Sequence, residues 1–213
     1  MVLSPRLNAI ANLIHADEVV VDIGSDHGQL PLTLLARFPD QPIYATEWRD
    51  GPFNRLKHVL KHTKVSIYQA NGLLSLPANV TTVVMSGMGG ITIASILRQL
   101  PEVPFRGKFI LAPQSDLERV RLTLNEKGFS IVNEHIIFDR KYYWIIESVP
   151  GHQRLHDRAL KYGPVFIKQP TEVFKHYVQN SIKQWRKRLL YPRLSPAARS
   201  TIEDILKELE TLC

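Results

Sequence analysis

The sequence predicts an α/β protein: a mostly parallel sheet finished by an antiparallel strand, with a helical hairpin appended. Three observations carry this. Runs rich in Val and Ile alternate with amphipathic stretches through residues 19–127, the pattern of strands joined by crossover helices. Two later strand-like runs, 129–137 and 142–149, are separated by only a turn at Asp139-Arg140, so the last strand must be antiparallel to its neighbour. Beyond Gly151 the strand-like runs stop, and apolar residues recur at steps of three and four.

The chain opens with a short helix. Ser4 supplies an N-cap and Pro5 the first helical residue, and Leu3, Leu7, Ile10, Ala11, Leu13 and Ile14 recur at helical spacing. Arg6 lies in the first turn, where a cation gains nothing from the helix dipole; it is either solvated or held for a substrate phosphate or carboxylate. Residues 19–30, VVVDIGSDHGQL, then give a buried strand, a sharp turn through Asp22, Gly24, Asp26 and Gly28, and a helix over 30–38. Ligands of such sheets sit outside the carboxyl ends of the strands, so chemistry is expected at this turn.

Charge narrows the ligand. A dinucleotide fingerprint uses three glycines to let backbone and a helix N-terminus approach a pyrophosphate. Here the pattern is Asp-x-Gly-x-Asp-x-Gly. Two carboxylates in so short a turn repel a diphosphate but suit a cationic amine and sulfonium beside ribose hydroxyls. S-adenosylmethionine (SAM) meets that description and NAD does not. The alternative is that Asp22 orders the turn and Asp26 caps the helix.

A second strand over 42–47 ends in Glu47, 25 residues beyond Asp22. That is close to the ~20-residue interval at which Rossmann-like folds place a carboxylate on ribose hydroxyls; a solvated strand-end acid is the other reading. A helix over 52–62 follows, with Phe53, Leu56, Val59 and Leu60 on one face and Arg55, Lys57 and Lys61 on the other. A third strand, 65–69, leads into Asn71-Gly72, either a contact to an adenine edge or a simple turn. A fourth, 80–85, runs into Ser86-Gly87-Met88-Gly89-Gly90, where glycines let backbone come close to a ligand. A helix over 91–100, a strand over 109–113 and a helix over 117–127 stopped by Gly128 complete the crossovers.

The net charge of +7 is uneven. Residues 1–151 carry 15 Lys+Arg against 14 Asp+Glu, and residues 152–213 carry 12 against 6. A basic tail suggests a polyanionic partner such as nucleic acid. In that tail Phe174, Val178, Ser181, Ile182, Trp185 and Leu189 form one apolar seam and Ile202, Ile205, Leu206, Leu209 and Leu212 another. Ser195-Pro196 starts the second helix, and Lys175, Lys183, Arg186, Lys187 and Arg188 lie on the first. The single cysteine, Cys213, supports neither an internal disulfide nor a cysteine metal cluster, and no metal is expected. No apolar run approaches the ~20 residues of a membrane span, and the N-terminus lacks a signal-peptide core. A cytoplasmic monomer is the expectation.

With these motifs in view, the chain resembles the bacterial tRNA (adenine-N1)-methyltransferases that modify adenosine 22 in the D arm, the TrmK family. The resemblance covers nearly the whole chain. It rests on Leu3-Ser4-x-Arg6-Leu7, Asp22-Ile23-Gly24-Ser25-Asp26-His27, Glu47 followed by Gly51-Pro52, Gly87-Met88-Gly89-Gly90, and Tyr162-Gly163-Pro164. It implies a class I SAM-dependent methyltransferase (Rossmann-like) domain over 1–151 and a coiled-coil-like basic helical arm over 152–213 that helps hold tRNA. It also implies that Asp22, Gly24, Glu47 and Gly72 line the SAM site, to which the strand-end and glycine-loop readings above add Asn71 and Gly87. Asp26 would lie nearest the chemistry, with Arg6 and the loop 87–90 at its mouth. His27 either assists proton movement or makes only structural bonds. The sequence departs from the family at Asn71, where many relatives carry Asp, and at Ala112-Pro113-Gln114, where they carry Gln-Pro-Asn.

The chemistry this implies is simple. Adenine N1 has a free lone pair near neutral pH, so no base is needed to expose it, and the product is a cation. A carboxylate, here Asp26, is expected to accept a hydrogen bond from the exocyclic amine and stabilise charge developing on the ring. The adenine must leave its stack to reach such a pocket. The alternatives are a SAM-dependent methyltransferase on another RNA, or a non-catalytic RNA-binding protein with this fold.

Overall fold

Four consecutive buried residues, Val20–Ile23, form β1, flanked by β2 (Ile43–Glu47) and β4 (Thr82–Ser86). The computed structural model describes residues 4–73, 77–100 and 105–212. With β3 (Ser66–Gln69), β5 (Lys108–Ala112), β6 (Phe129–Asp139) and β7 (Lys141–Pro150), these strands make a seven-stranded sheet of order β3-β2-β1-β4-β5-β7-β6. β1 to β5 pair in parallel, and β7 is antiparallel to both β5 and β6. This is the expected layout. Its consequence is functional: Ile23, Glu47, Gln69, Ser86 and Ala112 end at one edge of the sheet.

Helices α1 (Pro5–Asn12), α2 (Gln29–Arg37), α3 (Asp50–Leu60), α4 (Gly90–Leu97), α5 (Leu117–Glu126) and α6 (Asp157–Tyr162) complete the first compact unit, Met1–Gly163. Ile10, Leu34, Leu56 and Leu60 pack with Val20, Val84, Ile110 and Ile145 in one apolar cluster. Each such burial removes roughly 1.5–3 kcal/mol of unfavourable hydration. Ser4 Oγ accepts the Leu7 N–H at 3.3 Å and Pro5 opens α1, as the N-terminal motif predicts. The helix stops at Asn12, so Leu13 and Ile14 follow it, although Ile14 is still buried. Leu3 lies outside the described residues. Val59 departs from its expected place: Leu56 and Leu60 face the core, and Val59, three residues from Leu56, is turned toward solvent.

The sequence suggested a boundary at Gly151, yet the first unit runs to Gly163. An ion pair explains why. Arg121 on α5 is fully buried; its Nε donates to Glu134 Oε1 at 2.8 Å and its Nη1 to the carbonyls of Leu160 and Lys161 at 2.7 and 3.1 Å. Leaving that guanidinium without partners costs several kcal/mol, about 3–5 for a broken buried pair, so α6 belongs with the sheet.

The second unit, Pro164–Cys213, holds α7 (Pro164–Lys168), α8 (Glu172–Leu189) and α9 (Pro196–Glu210). Thr171 caps α8 and Ser195 caps α9, each accepting a backbone N–H at 3.2 Å. Phe174, Val178 and Ile182 of α8 and Ile202, Leu206 and Leu209 of α9 are buried, while Trp185 and Leu189 are half-buried. Arg199 donates to the Leu189 carbonyl at 3.4 Å across the turn, so the chain folds back on itself. The charge is unevenly shared: α8 carries five cations against one acid, and α9 two against four. Cys213 lies outside the described residues. Among the described residues no helix is long and apolar enough to cross a membrane, and no cluster of His, Cys, Asp and Glu could hold a metal.

Candidate active site

The turn after β1 is tied to β2 by its backbone. The N–H groups of Gly24 and Ser25 both donate to the Thr46 carbonyl, at 3.0 and 3.1 Å. Gly24 has φ 75°, the left-handed region that glycine enters without strain. Asp26 also sits at positive φ, 39°, where an L residue is disfavoured. It is held there because its N–H donates to Glu47 Oε1 at 2.9 Å, while Glu47 Oε2 accepts the Trp48 N–H at 3.2 Å. Asp26 does not cap α2; the N-cap is Gly28, with no side-chain cap bond. Its carboxylate instead pairs with Arg55 Nη1 on α3 and lies 3.3 Å from His27 Nε2.

Asp22 is buried, and Ser25 Oγ donates to its Oδ2 at 2.6 Å. Burial pushes its carboxyl up to about 6; the Ser25 bond opposes this, and the nearby Glu47 charge adds to it. The glycine loop after β4 is braced by the segment after β5. Gln114 donates from Nε2 to the Gly87 carbonyl and from its backbone N–H to the Met88 carbonyl, both at 3.0 Å. Gly90 donates to the Ser115 carbonyl at 3.1 Å, in a place where a Cβ would overlap backbone. At Gly87, φ 80°, a Cβ would meet nothing, so this peptide faces open space.

Two cavities open at this edge. The larger, about 410 Å³, is lined among others by Glu47, Trp48, Asn71, Gly72 and Gln99. The smaller, about 190 Å³, is lined by Arg6, Asp22, Ser25, His27 and Gln29 among others. Gly24, Asp26, Ser86 and Gly87 line both and form their common wall.

The structure therefore sorts the residues singled out in the sequence. Gly24, Glu47, Asn71, Gly72 and Gly87 come together at the larger cavity, and Arg6 and His27 stand at the smaller. Asp26 touches both. Asp22, expected beside the cofactor, lines only the smaller one. Side chains of a strand alternate between faces, so Ile23 turns toward the larger cavity and Asp22 away from it. Three residues at the site went unread. Trp48, 60% exposed, follows Glu47 directly, and an aromatic beside a strand-end acid was the available signal. Arg55 was indistinguishable from the other cations of α3, and Gln99, which accepts the Leu73 N–H at 3.1 Å, carried no signal.

A family model described as "Methyltransferase domain" matches residues 3–146. A tRNA (adenine(22)-N(1))-methyltransferase of Bacillus subtilis is 27% identical over 219 residues, covering 92% of this chain and 87% of the relative. A candidate tRNA methyltransferase of Mycoplasma genitalium is 27% identical over 218 residues, covering 97% and 94%. Among solved structures, a candidate tRNA (m1A22) methyltransferase of Streptococcus pneumoniae in complex with S-adenosyl-L-methionine matches with a TM-score of 0.83 at 27% identity, covering 99% of each chain.

Proposed function

The chain belongs to the methyltransferase domain family, and from that premise we propose that it is a TrmK-type enzyme, transferring the methyl group of SAM to N1 of adenosine 22 in the D arm of tRNA. The single observation that carries this is the common wall. A cavity of about 410 Å³ is in the range of small-molecule sites, roughly 300–1,000 Å³, and it meets a smaller one at Gly24, Asp26, Ser86 and Gly87. One suits a cofactor and the other a single base. The relatives named for this modification, one of them bound to SAM, support the same reading.

The residues of the larger cavity fit SAM. Glu47 faces it with a carboxylate whose remaining lone pairs suit ribose hydroxyls, and Trp48 offers a flat apolar surface for a purine ring. When bound, SAM supplies an electrophilic methyl group on a positively charged sulfur. Gly24 and Gly87 add no side chains to the common wall, which lets donor and acceptor meet in line, a large part of the rate acceleration expected.

On the base side the work falls to carboxylates. Asp26 accepts a hydrogen bond from the exocyclic amine and, with ionised Asp22 behind it, stabilises the cation that N1 methylation creates. Arg55 orients the Asp26 carboxylate, and Arg6 meets a phosphate at the mouth. No general base is required at N1, which leaves His27 a structural partner of Asp26. α8, with its cationic face, binds the tRNA body, and the enzyme works in the cytoplasm.

Labelled SAM offered in parallel to total tRNA and to ribosomal RNA, followed by nucleoside analysis, tests the proposal. Label recovered as 1-methyladenosine is the expected result. Label entering only ribosomal RNA overturns the choice of substrate, and SAM binding without transfer to any RNA overturns catalysis.

A further inference from the structure

Resting on the tRNA reading, we infer that the tip of the β6–β7 hairpin is a second RNA-binding surface, which grips the nucleotides flanking the target adenine through a basic and aromatic cluster around Tyr143.

Its position comes from register. β7 pairs with β5 only as far as Leu111↔Ile146, whereas β6 and β7 stay paired out to Asp139↔Lys141. The ribbon thus continues past the carboxyl end of β5 by roughly 13 Å at ~3.3 Å per residue. It overhangs the edge at which both cavities open.

Its chemistry suits a single strand of RNA. Arg6 Cζ lies 5.4 Å and Lys141 Nζ 5.0 Å from the centroid of the Tyr143 ring, so two cations are gathered at one ring. Arg140 is exposed beside them, and Asp139 is the one acid of the turn. Among the described residues, Arg6, Arg140 and Lys141 have no ion-pair partner. Cations held together without an anion are a standing electrostatic cost, which a phosphate relieves. Phe138, 55% exposed, packs on Tyr142 at 5.0 Å between ring centroids and leaves aromatic surface open to a base. Arg140 adds an independent sign. It holds φ 61° in a hairpin turn that ordinarily takes Gly or Asn, so a cation is kept where backbone geometry disfavours one. Because Arg6 also lines the smaller cavity, a strand bound on this cluster leads its base into the pocket.

The test compares full-length variants for binding to an unmodified tRNA transcript, with SAM affinity and melting temperature measured on each. Arg140→Glu/Lys141→Glu is expected to weaken tRNA binding about tenfold near 0.1 M salt and to lower the salt slope by about one per cation removed, with SAM affinity unchanged. Arg140→Gly, which suits the turn, is expected to melt no lower than the parent and still to bind tRNA more weakly. Phe138→Ala is expected to raise the KM for tRNA a few-fold. Lys61→Glu/Lys64→Glu makes the same charge change at the opposite sheet edge and is expected to change binding less than twofold. Tip variants that bind within twofold of the parent, or an opposite-edge variant that loses as much, overturn the inference alone. A parent protein with no affinity for tRNA overturns the underlying reading as well, and shows it before any variant is compared.

Discussion

Glu47 Oε1 accepts the backbone N–H of Asp26 at 2.9 Å, so the acid that ends β2 holds in place the residue at the wall between the two cavities. A strained residue at φ 39° persists only when its surroundings fix it. On the roles proposed for Glu47 and Asp26, cofactor contact and catalytic geometry share one side chain. Glu47→Ala is expected to weaken SAM binding about 10- to 100-fold, the worth of charge-assisted hydrogen bonds of about 1.5–3 kcal/mol, and also to lower kcat at saturating SAM. Calorimetry with single-turnover kinetics checks both; a variant that keeps the parent's kcat once saturated shows that Asp26 does not depend on Glu47.

Asp26 is the residue expected to separate binding from chemistry. Asp26→Ala is expected to abolish methyl transfer while SAM affinity stays within a few-fold, because only one wall of the larger cavity changes. Arg55→Ala, which removes the partner of that carboxylate, is expected to lower kcat roughly tenfold, about 1.4 kcal/mol of transition-state stabilisation, with a smaller effect on KM. Near-normal turnover in Asp26→Ala sinks the assignment.

Asp22 gives a pH dependence with a definite sign. Its carboxyl is raised from 3.8 to about 6 in the fold. The stability it contributes is thus complete below pH 3.8 and lost as pH rises through about 6. At pH 7.5 Asp22→Asn, which cannot ionise, is expected to be more stable than the parent by about 1–2 kcal/mol after allowing for the weakened Ser25 bond. The gain should vanish by pH 4. Denaturant unfolding at the two pH values is the measurement, and a variant that is less stable at pH 7.5 than the parent contradicts the burial argument.

The arm is expected to act through salt-sensitive contacts. Lys183→Glu/Lys187→Glu reverses two exposed cations one turn apart on α8, away from its buried seam of Phe174, Val178 and Ile182. Its tRNA affinity should fall several-fold and depend less on salt, with a slope lower by about one per cation. Unchanged affinity in a salt titration assigns tRNA binding elsewhere.

Much of this was legible in the chain because strands buried on both sides announce themselves. The Val-rich run before Asp22 marks a buried strand and the hairpin at Asp139-Arg140 the antiparallel end of the sheet, since each depends on local pattern alone. The glycine and acid spacing likewise located the edge at which both cavities open. What was not legible depends on partners distant in sequence. Asp22 and Glu47 look alike as strand-end acids, and only the pleat and their neighbours decide which cavity each faces. Arg55 looks like any solvated helix cation until Asp26 is placed beside it. The place of α6 was hidden because Arg121 meets Glu134 and the Leu160 carbonyl across 13 and 39 residues.

The central claim, that a methyl group crosses the common wall to one adenine, is tested most directly by methyl incorporation into two tRNA transcripts differing only at position 22. Close to one methyl per transcript is expected with adenosine there, all recovered as 1-methyladenosine, and none with guanosine. Equal incorporation into both, or recovery of the label in another nucleoside, would contradict it.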